Sequence, residues 1–170
     1  MLNEKVVKLL NEQITKEFYS AYLYLDFSNY FNDRELNGFS NWYRIQAQEE
    51  RDHAMLILQY LQNNSEKVEL GAIDKPDVAL TDDLTVLKAG LKHERYVTSL
   101  IHDIYEAAYN VRDFRTMQFL DWFVKEQGEE EKNADSIVKK YELYGSDPKS
   151  LYMLDTEMAA RVYAAPSLVL

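Results

Sequence analysis

At 170 residues the chain is long enough for one well-buried domain and too short for two. Hydrophobic residues make up 46 % and charged residues 28 %, with only 5 Gly and 3 Pro, a composition suited to a helical protein with few tight turns. A net charge of −10 argues against nucleic acid as a primary partner, and the lack of cysteine excludes disulfides and thiolate metal sites.

The N-terminus runs straight into an amphipathic pattern, with no secretory apolar region. No stretch approaches the roughly 18 consecutive apolar residues of a membrane span. A soluble, cytoplasmic protein without membrane contact is expected. A first helix is predicted from about Asn3 to Phe31, with Val7, Leu10, Ile14, Glu17, Ala21, Tyr24, Ser28 and Phe31 on one seam. A second runs from about Glu35 to Gln62, with Phe39, Tyr43, Gln46, Glu50, His53, Ile57 and Tyr60 facing inward. The third, from about Asp82 to Asn110, places Leu84, Leu87, Leu91, Glu94, Thr98, Ile101, Tyr105 and Ala108 on its seam. The fourth, from about Asp113 to Tyr144, gives Thr116, Leu120, Phe123, Gln127, Glu130, Ala134, Ile137, Tyr141 and Tyr144. Gly145 stops it, and Asp147-Pro148 opens a short fifth helix to about Tyr163, with Leu151, Leu154, Met158 and Val162 on one side. That apolar side needs a cover, either a neighbouring subunit or the end of its own bundle.

Loop lengths set the topology. Asn32-Asp33-Arg34 and Val111-Arg112 are short, so helices one and two, and three and four, are expected as antiparallel neighbours. The segment Asn63–Thr81 has no helical pattern and, extended, spans about 60 Å, enough to cross the bundle end to end. Helices two and three should then run parallel. The fold class is all-α: a four-helix bundle over residues 3–144 with a long crossover between helices two and three, plus the short fifth helix, in one domain over 1–170.

Glu50-Arg51-Asp52-His53 is a Glu-x-x-His set, whose carboxylate and imidazole point the same way from one helix face. By itself the pattern is weak. Glu17, Glu94 and Glu130 lie near the middles of the other three helices, so the bundle stacks four glutamates, one histidine and Gln127 in one layer. Four buried carboxylates cannot all ionise without counter-charge, and two divalent cations supply it. Oxygen ligands with one imidazole suit iron or manganese, with zinc as a competitor.

Here the sequence resembles the non-haem bacterial ferritins. Glu17, Tyr24, Glu50-Arg51-Asp52-His53, Glu94 and Gln127-Gly128-Glu129-Glu130 match that family's ferroxidase centre in order and spacing. The resemblance covers nearly the whole chain and implies a ferritin-like fold and a 24-subunit shell. That shell would oxidise Fe(II) with O₂ or hydrogen peroxide and store ferric mineral. It implies Glu17, Glu50 and His53 around one iron, and Glu50, Glu94 and Glu130 around a second, with Gln127 close by. Glu49, Glu126 and Glu129 resemble an outer third iron site, and a solvated helix face is the alternative for them. Tyr24 and Trp122 correspond to the family's aromatic pair, which implies a catalytic part for them in hydrogen-bonding or donating electrons near the centre, and both also suit a core position. His93 and His102 are expected as surface or hydrogen-bonded residues rather than ligands.

Haem-containing relatives carry a second Glu-x-x-His on helix four and a Met after the bridging Glu. This chain has Gln127-Gly128-Glu129-Glu130 and Arg51 there, so no haem is expected. Gly128 in mid-helix costs about 1 kcal/mol of helix propensity, for which close approach of a neighbouring backbone is one account. Two rival readings remain: a di-iron oxidase or peroxidase that stores no mineral, and a structural bundle whose polar layer binds zinc or nothing.

Overall fold

The computed structural model describes residues 2–170, and these form five α-helices and no strand. They are α1 Glu4–Asp33, α2 Asn37–Asn63, α3 Asp83–Asn110, α4 Phe114–Tyr144 and α5 Pro148–Ala159. Four helices start on a side-chain cap: Asn3, Asp82, Asp113 and Asp147 each accept a backbone N–H from the first turn they precede. Only α2 lacks a local cap. Helices α1, α2 and α3 stop without glycine. Glu35, Ser65 and Arg112 take the left-handed conformation, with φ near 60°, just past each end. The next N–H reaches back to Phe31, Leu61 and Ala108 respectively, at 2.9–3.0 Å, closing a Schellman-type turn.

Side-chain pairs fix the helix directions. Ser28 meets Ser40 and Phe27 meets Tyr43, so α1 and α2 are antiparallel. Tyr105 meets Asp121 and Lys88 meets Glu142, which makes α3 and α4 antiparallel. The crossover 64–82 runs alongside α1 in the same direction: Leu2 N–H donates to Glu66, Glu69 N–H to Asn11 and Gly71 N–H to Thr15. Helices α2 and α3 are therefore parallel, as the loop length requires. At the far end Asp83 is buried and accepts from Tyr30, Tyr141 and Arg34, tying α1, α3 and α4 together.

The apolar core has two halves. Val6, Leu10, Ile14, Ile57, Ile101 and Phe123 belong to one; Leu23, Phe27, Phe31, Phe39, Leu87 and Ile137 belong to the other. Between them lies the polar layer. The predicted α2 seam is buried throughout. Elsewhere the buried arc is wider than one seam and shifted: Val6, Leu23, Phe27, Val86, Val97 and Ile104 are inside, whereas Val7, Leu84 and Tyr105 are half-buried and Tyr144 is exposed. The reason is geometric. A bundle helix faces two neighbours, and α1 also carries the crossover.

The fifth helix is shorter than expected. It ends at Ala159 rather than Tyr163, so Val162 lies beyond it and is 82 % exposed. Leu154 and Met158 are buried against the start of α2 in the same chain. A side chain at Gly38 would put its Cβ 1.7 Å from the Asp155 carbonyl oxygen, so only glycine allows this approach. Asp155 then accepts from Phe39 N–H at 2.9 Å, supplying from α5 the cap that α2 lacks locally. Among the described residues, no helix is long and apolar enough to cross a membrane.

Candidate metal centre

Each helix brings its polar residues to the middle layer because apolar packing on both sides fixes its rotation. Glu17 comes from α1, Gln46, Glu50 and His53 from α2, Glu94 from α3, and Gln127 and Glu130 from α4. All are at most 5 % exposed. Ligand atoms of Glu17, Glu50 and His53 lie within 4.8 Å of one another, close enough to hold one ion. His53 Nδ1 is 3.6 Å from the Glu50 carboxylate. Glu17 accepts from Gln13 Nε2 at 2.8 Å through one oxygen, and its other oxygen, Oε2, is buried without any partner. A buried carboxylate oxygen with no donor is costly, and a cation at that point would satisfy it.

The second group is held differently. Tyr24 O–H donates to one Glu94 oxygen, and Gln127 Nε2 donates to the other at 3.2 Å. Glu130 faces Glu94 across a cavity of about 20 Å³, room for one water-sized occupant. Gln127 acts as a donor here, with its amide spent on Glu94 and Thr98.

Electrostatics show how much counter-charge the layer needs. Burial, reinforced by the charge of Glu50, pushes Glu17 up to about 8. The same two causes bring Glu130 up to about 7 and hold Glu94 well above the ordinary carboxylate range. Burial also acts against a charged Glu50, but the hydrogen bond and charge of His53 outweigh it and leave Glu50 below its ordinary value. Burial likewise opposes a charged His53, and the Glu50 carboxylate with the charges of Glu17 and Glu130 brings it up to about 10. Without metal, the layer keeps one internal ion pair and holds protons on the other acids. That is the chemistry of a donor set built for cations.

Of the remaining expected residues, Trp122 stands edge-on to His53, ring centroids 5.5 Å apart, but its N–H donates to Ser167 at 2.9 Å. Glu126 is half-buried and Glu129 exposed, and both line a cavity of about 310 Å³ with Glu49 and His53. Glu49 is already ion-paired with Arg161. His93 is hydrogen-bonded to Ser20 at 2.7 Å and His102 is exposed, as expected. Two contributors were not legible beforehand. Gln13 supports Glu17 from one turn away. Arg161 reaches the centre from beyond α5, and an isolated arginine in a C-terminal segment carries no sequence signal of that.

The ferritin family, in the form of its ferritin-like domain, matches residues 7–144. The chain belongs to the ferritin family. A bacterial non-heme ferritin of Campylobacter jejuni is 38 % identical over 155 residues, 91 % of this chain and 93 % of that one. One from Staphylococcus epidermidis is 34 % identical over 163 residues, 96 % of this chain and 98 % of that one. Among solved structures, an open-pore ferritin from the hyperthermophilic archaeon Archaeoglobus fulgidus superimposes with a TM-score of 0.93 at 42 % identity, covering 95 % of this chain and all of that one. A humanized archaeal ferritin gives a TM-score of 0.94 at 42 % identity, over 96 % and 99 % of the two chains. The ferritin bundle places the four middle turns side by side, and in this member those turns carry Glu17, Glu50, Glu94 and Glu130.

Proposed function

We propose that the protein is a cytoplasmic, non-haem iron store that oxidises Fe(II) at a di-iron centre and keeps the ferric product inside a 24-subunit shell. One observation carries the reading: the buried cluster of Glu17, Glu50 and His53, with its orphaned carboxylate oxygen, lies beside buried Glu94 and Glu130 in a chain of the ferritin family. Iron is the substrate here. Glu17, Glu50 and His53 hold one Fe(II); Glu94 and Glu130 hold the other, and Glu50 bridges them. Two divalent ions balance the four carboxylates, so binding drives off the protons that burial holds on Glu17, Glu94 and Glu130.

Each bound Fe(II) gives up one electron to O₂ or hydrogen peroxide. The protein's own contribution is positional. Gln13 donates to one oxygen of Glu17 and leaves the other free for iron, Gln46 holds one oxygen of Glu50, and Tyr24 and Gln127 each hold one oxygen of Glu94, so each of these carboxylates is fixed in place. Tyr24 sits against the reacting pair with its phenol kept protonated by burial and by Glu94. The half-buried Glu126 and exposed Glu129 offer oxygens along the path from the centre to the cavity side.

Two measurements test this. Assembly of 24 copies of a 20.0 kDa chain gives roughly 480 kDa by light scattering; a monomer or dimer removes the storage shell and leaves a small di-iron oxidase. Aerobic Fe(II) oxidation should fall on the order of 100-fold in Glu50→Ala and His53→Ala. Unchanged rates in both variants refute the assignment of the centre.

A further inference from the structure

The segment after α5 lines, together with Glu49, His53 and Glu130, the cavity beside the centre. Asn41 donates to the Arg161 carbonyl at 3.1 Å, Tyr163 O–H donates to Asp52 at 2.5 Å, and Ser167 accepts from Trp122. This strap delivers the Arg161 side chain onto α2. The guanidinium stacks over the Trp42 ring, 4.2 Å from its centroid, and one of its nitrogens also reaches the Trp42 carbonyl. Arg161 Nη1 donates to Gln46 Oε1 at 2.9 Å, and Nη2 pairs with the Glu49 carboxylate. Both partners of this ion pair are largely shielded, at 14 % and 17 % exposed.

The chemistry of this arrangement has one direction. Guanidinium only donates and an ionised carboxylate only accepts, so the Gln46 amide between Arg161 and Glu50 has one orientation. Its carbonyl is committed to Arg161, and its NH₂ donates to Glu50 Oε1 at 3.0 Å. Gln46, Glu49 and Glu50 lie within one turn of α2. Without Arg161, the Glu49 carboxylate would be an unpaired oxygen ligand in the cavity shared with Glu126 and Glu129, and the Gln46 carbonyl one turn away would lose its donor. Arg161 takes up both and supplies a fixed positive charge in their place.

We propose that Arg161 is a specificity-determining residue of the centre: a built-in cation that occupies the position beside Glu49 and limits the chain to two metal ions at this layer. This rests on the proposed di-metal centre and adds its upper bound. Every electrostatic effect of removing Arg161 favours one more cation. Glu49 loses its partner, Gln46 is free to turn its carbonyl outward, and a positive charge leaves the cavity.

The test is the stoichiometry of Co²⁺ binding, read by calorimetry and visible absorption on the assembled, metal-free protein. The parent should take two ions per subunit at the layer, and Arg161→Gln a third. Arg161→Lys, which keeps the charge, should stay at two, and Glu49→Gln with Arg161→Gln should return to two. Tyr163→Phe loosens the same strap without touching Gln46 or Glu49, so it should also remain at two; a third ion there would mean that the strap, not the arginine, sets the limit. An Arg161→Gln variant that folds and stays at two overturns the proposal. So does a parent that already binds a third ion lost in Glu49→Gln. A parent that binds no Co²⁺ sensitive to Glu50→Ala would refute the centre itself, and this inference falls with it.

Discussion

Single side chains in the middle layer do two kinds of work. Gln13 and Gln46 each donate to one oxygen of a glutamate, while Tyr24 and Gln127 hold one oxygen each of Glu94; Glu17 Oε2 is left with no partner at all. The layer is organised by donors that stop short of satisfying it. Gly128 is the one residue near the centre without such a role. It is exposed, and an added Cβ would meet nothing within 4 Å, so the close backbone approach that would explain a mid-helix glycine is not present within the chain. Gly128→Ala should therefore stabilise α4 by about 1 kcal/mol and raise the melting temperature by roughly 2–4 °C, with Co²⁺ binding unchanged. Thermal denaturation followed by circular dichroism checks it. A lower melting temperature would mean that a neighbouring subunit approaches α4 at this point.

At the scale of elements, α5 does more than cover an apolar patch. Through Gly38 it comes close enough to cap α2, and through the chain that follows it carries Arg161 to the centre. Gly38→Ala forces the two backbones apart. The variant should lose the Asp155 cap and the burial of Leu154 and Met158, a cost of about 2–4 kcal/mol. Hydrogen exchange should show protection lost across 148–159 while α1 to α4 keep theirs; retained protection in α5 would refute the docking. The same element marks the limit of what sequence could show. The inward seam of α2 was legible residue by residue, because it faces partners along its whole length. The stop of α3 fell at Asn110 as read, but those of α1 and α2 were legible only to within two residues, because Glu35 and Ser65 adopt a conformation usually announced by glycine. The carboxylate layer could be read because it needs only mid-helix positions and charge counting. The contact of Arg161 with Gln46 and Glu49 could not, since it depends on how α5 docks and leaves no periodic trace.

For the whole molecule, a core split by a layer of acids ties stability to pH and to metal. Glu17 and Glu130 are carboxyls raised from about 4.5 to about 8 and about 7, and Glu94 is raised as well. Their contribution to the metal-free fold is full below the unfolded value and is lost as pH climbs through the folded one. His53, raised from 6.5 to about 10, behaves in the same sense: its contribution is present below 6.5 and lost as pH rises through about 10. Glu50 is lowered, so its contribution is present above about 4.5 and fades only on acidification below that, outside this window. Between pH 5.5 and 8.5 Glu17, Glu94, Glu130 and His53 act together; His93, held below its ordinary value by burial, opposes them at the acid end and is outnumbered. The melting temperature of chelator-treated protein should fall with rising pH, by a margin on the order of 10 °C. Saturating Co²⁺ should reverse the slope, because the ions compete with the same protons and bind more tightly as those leave. Scanning calorimetry with and without the metal reads both slopes. A metal-free protein whose melting temperature is flat or rises across that range would mean that the four helices do not hold their acids as one buried layer.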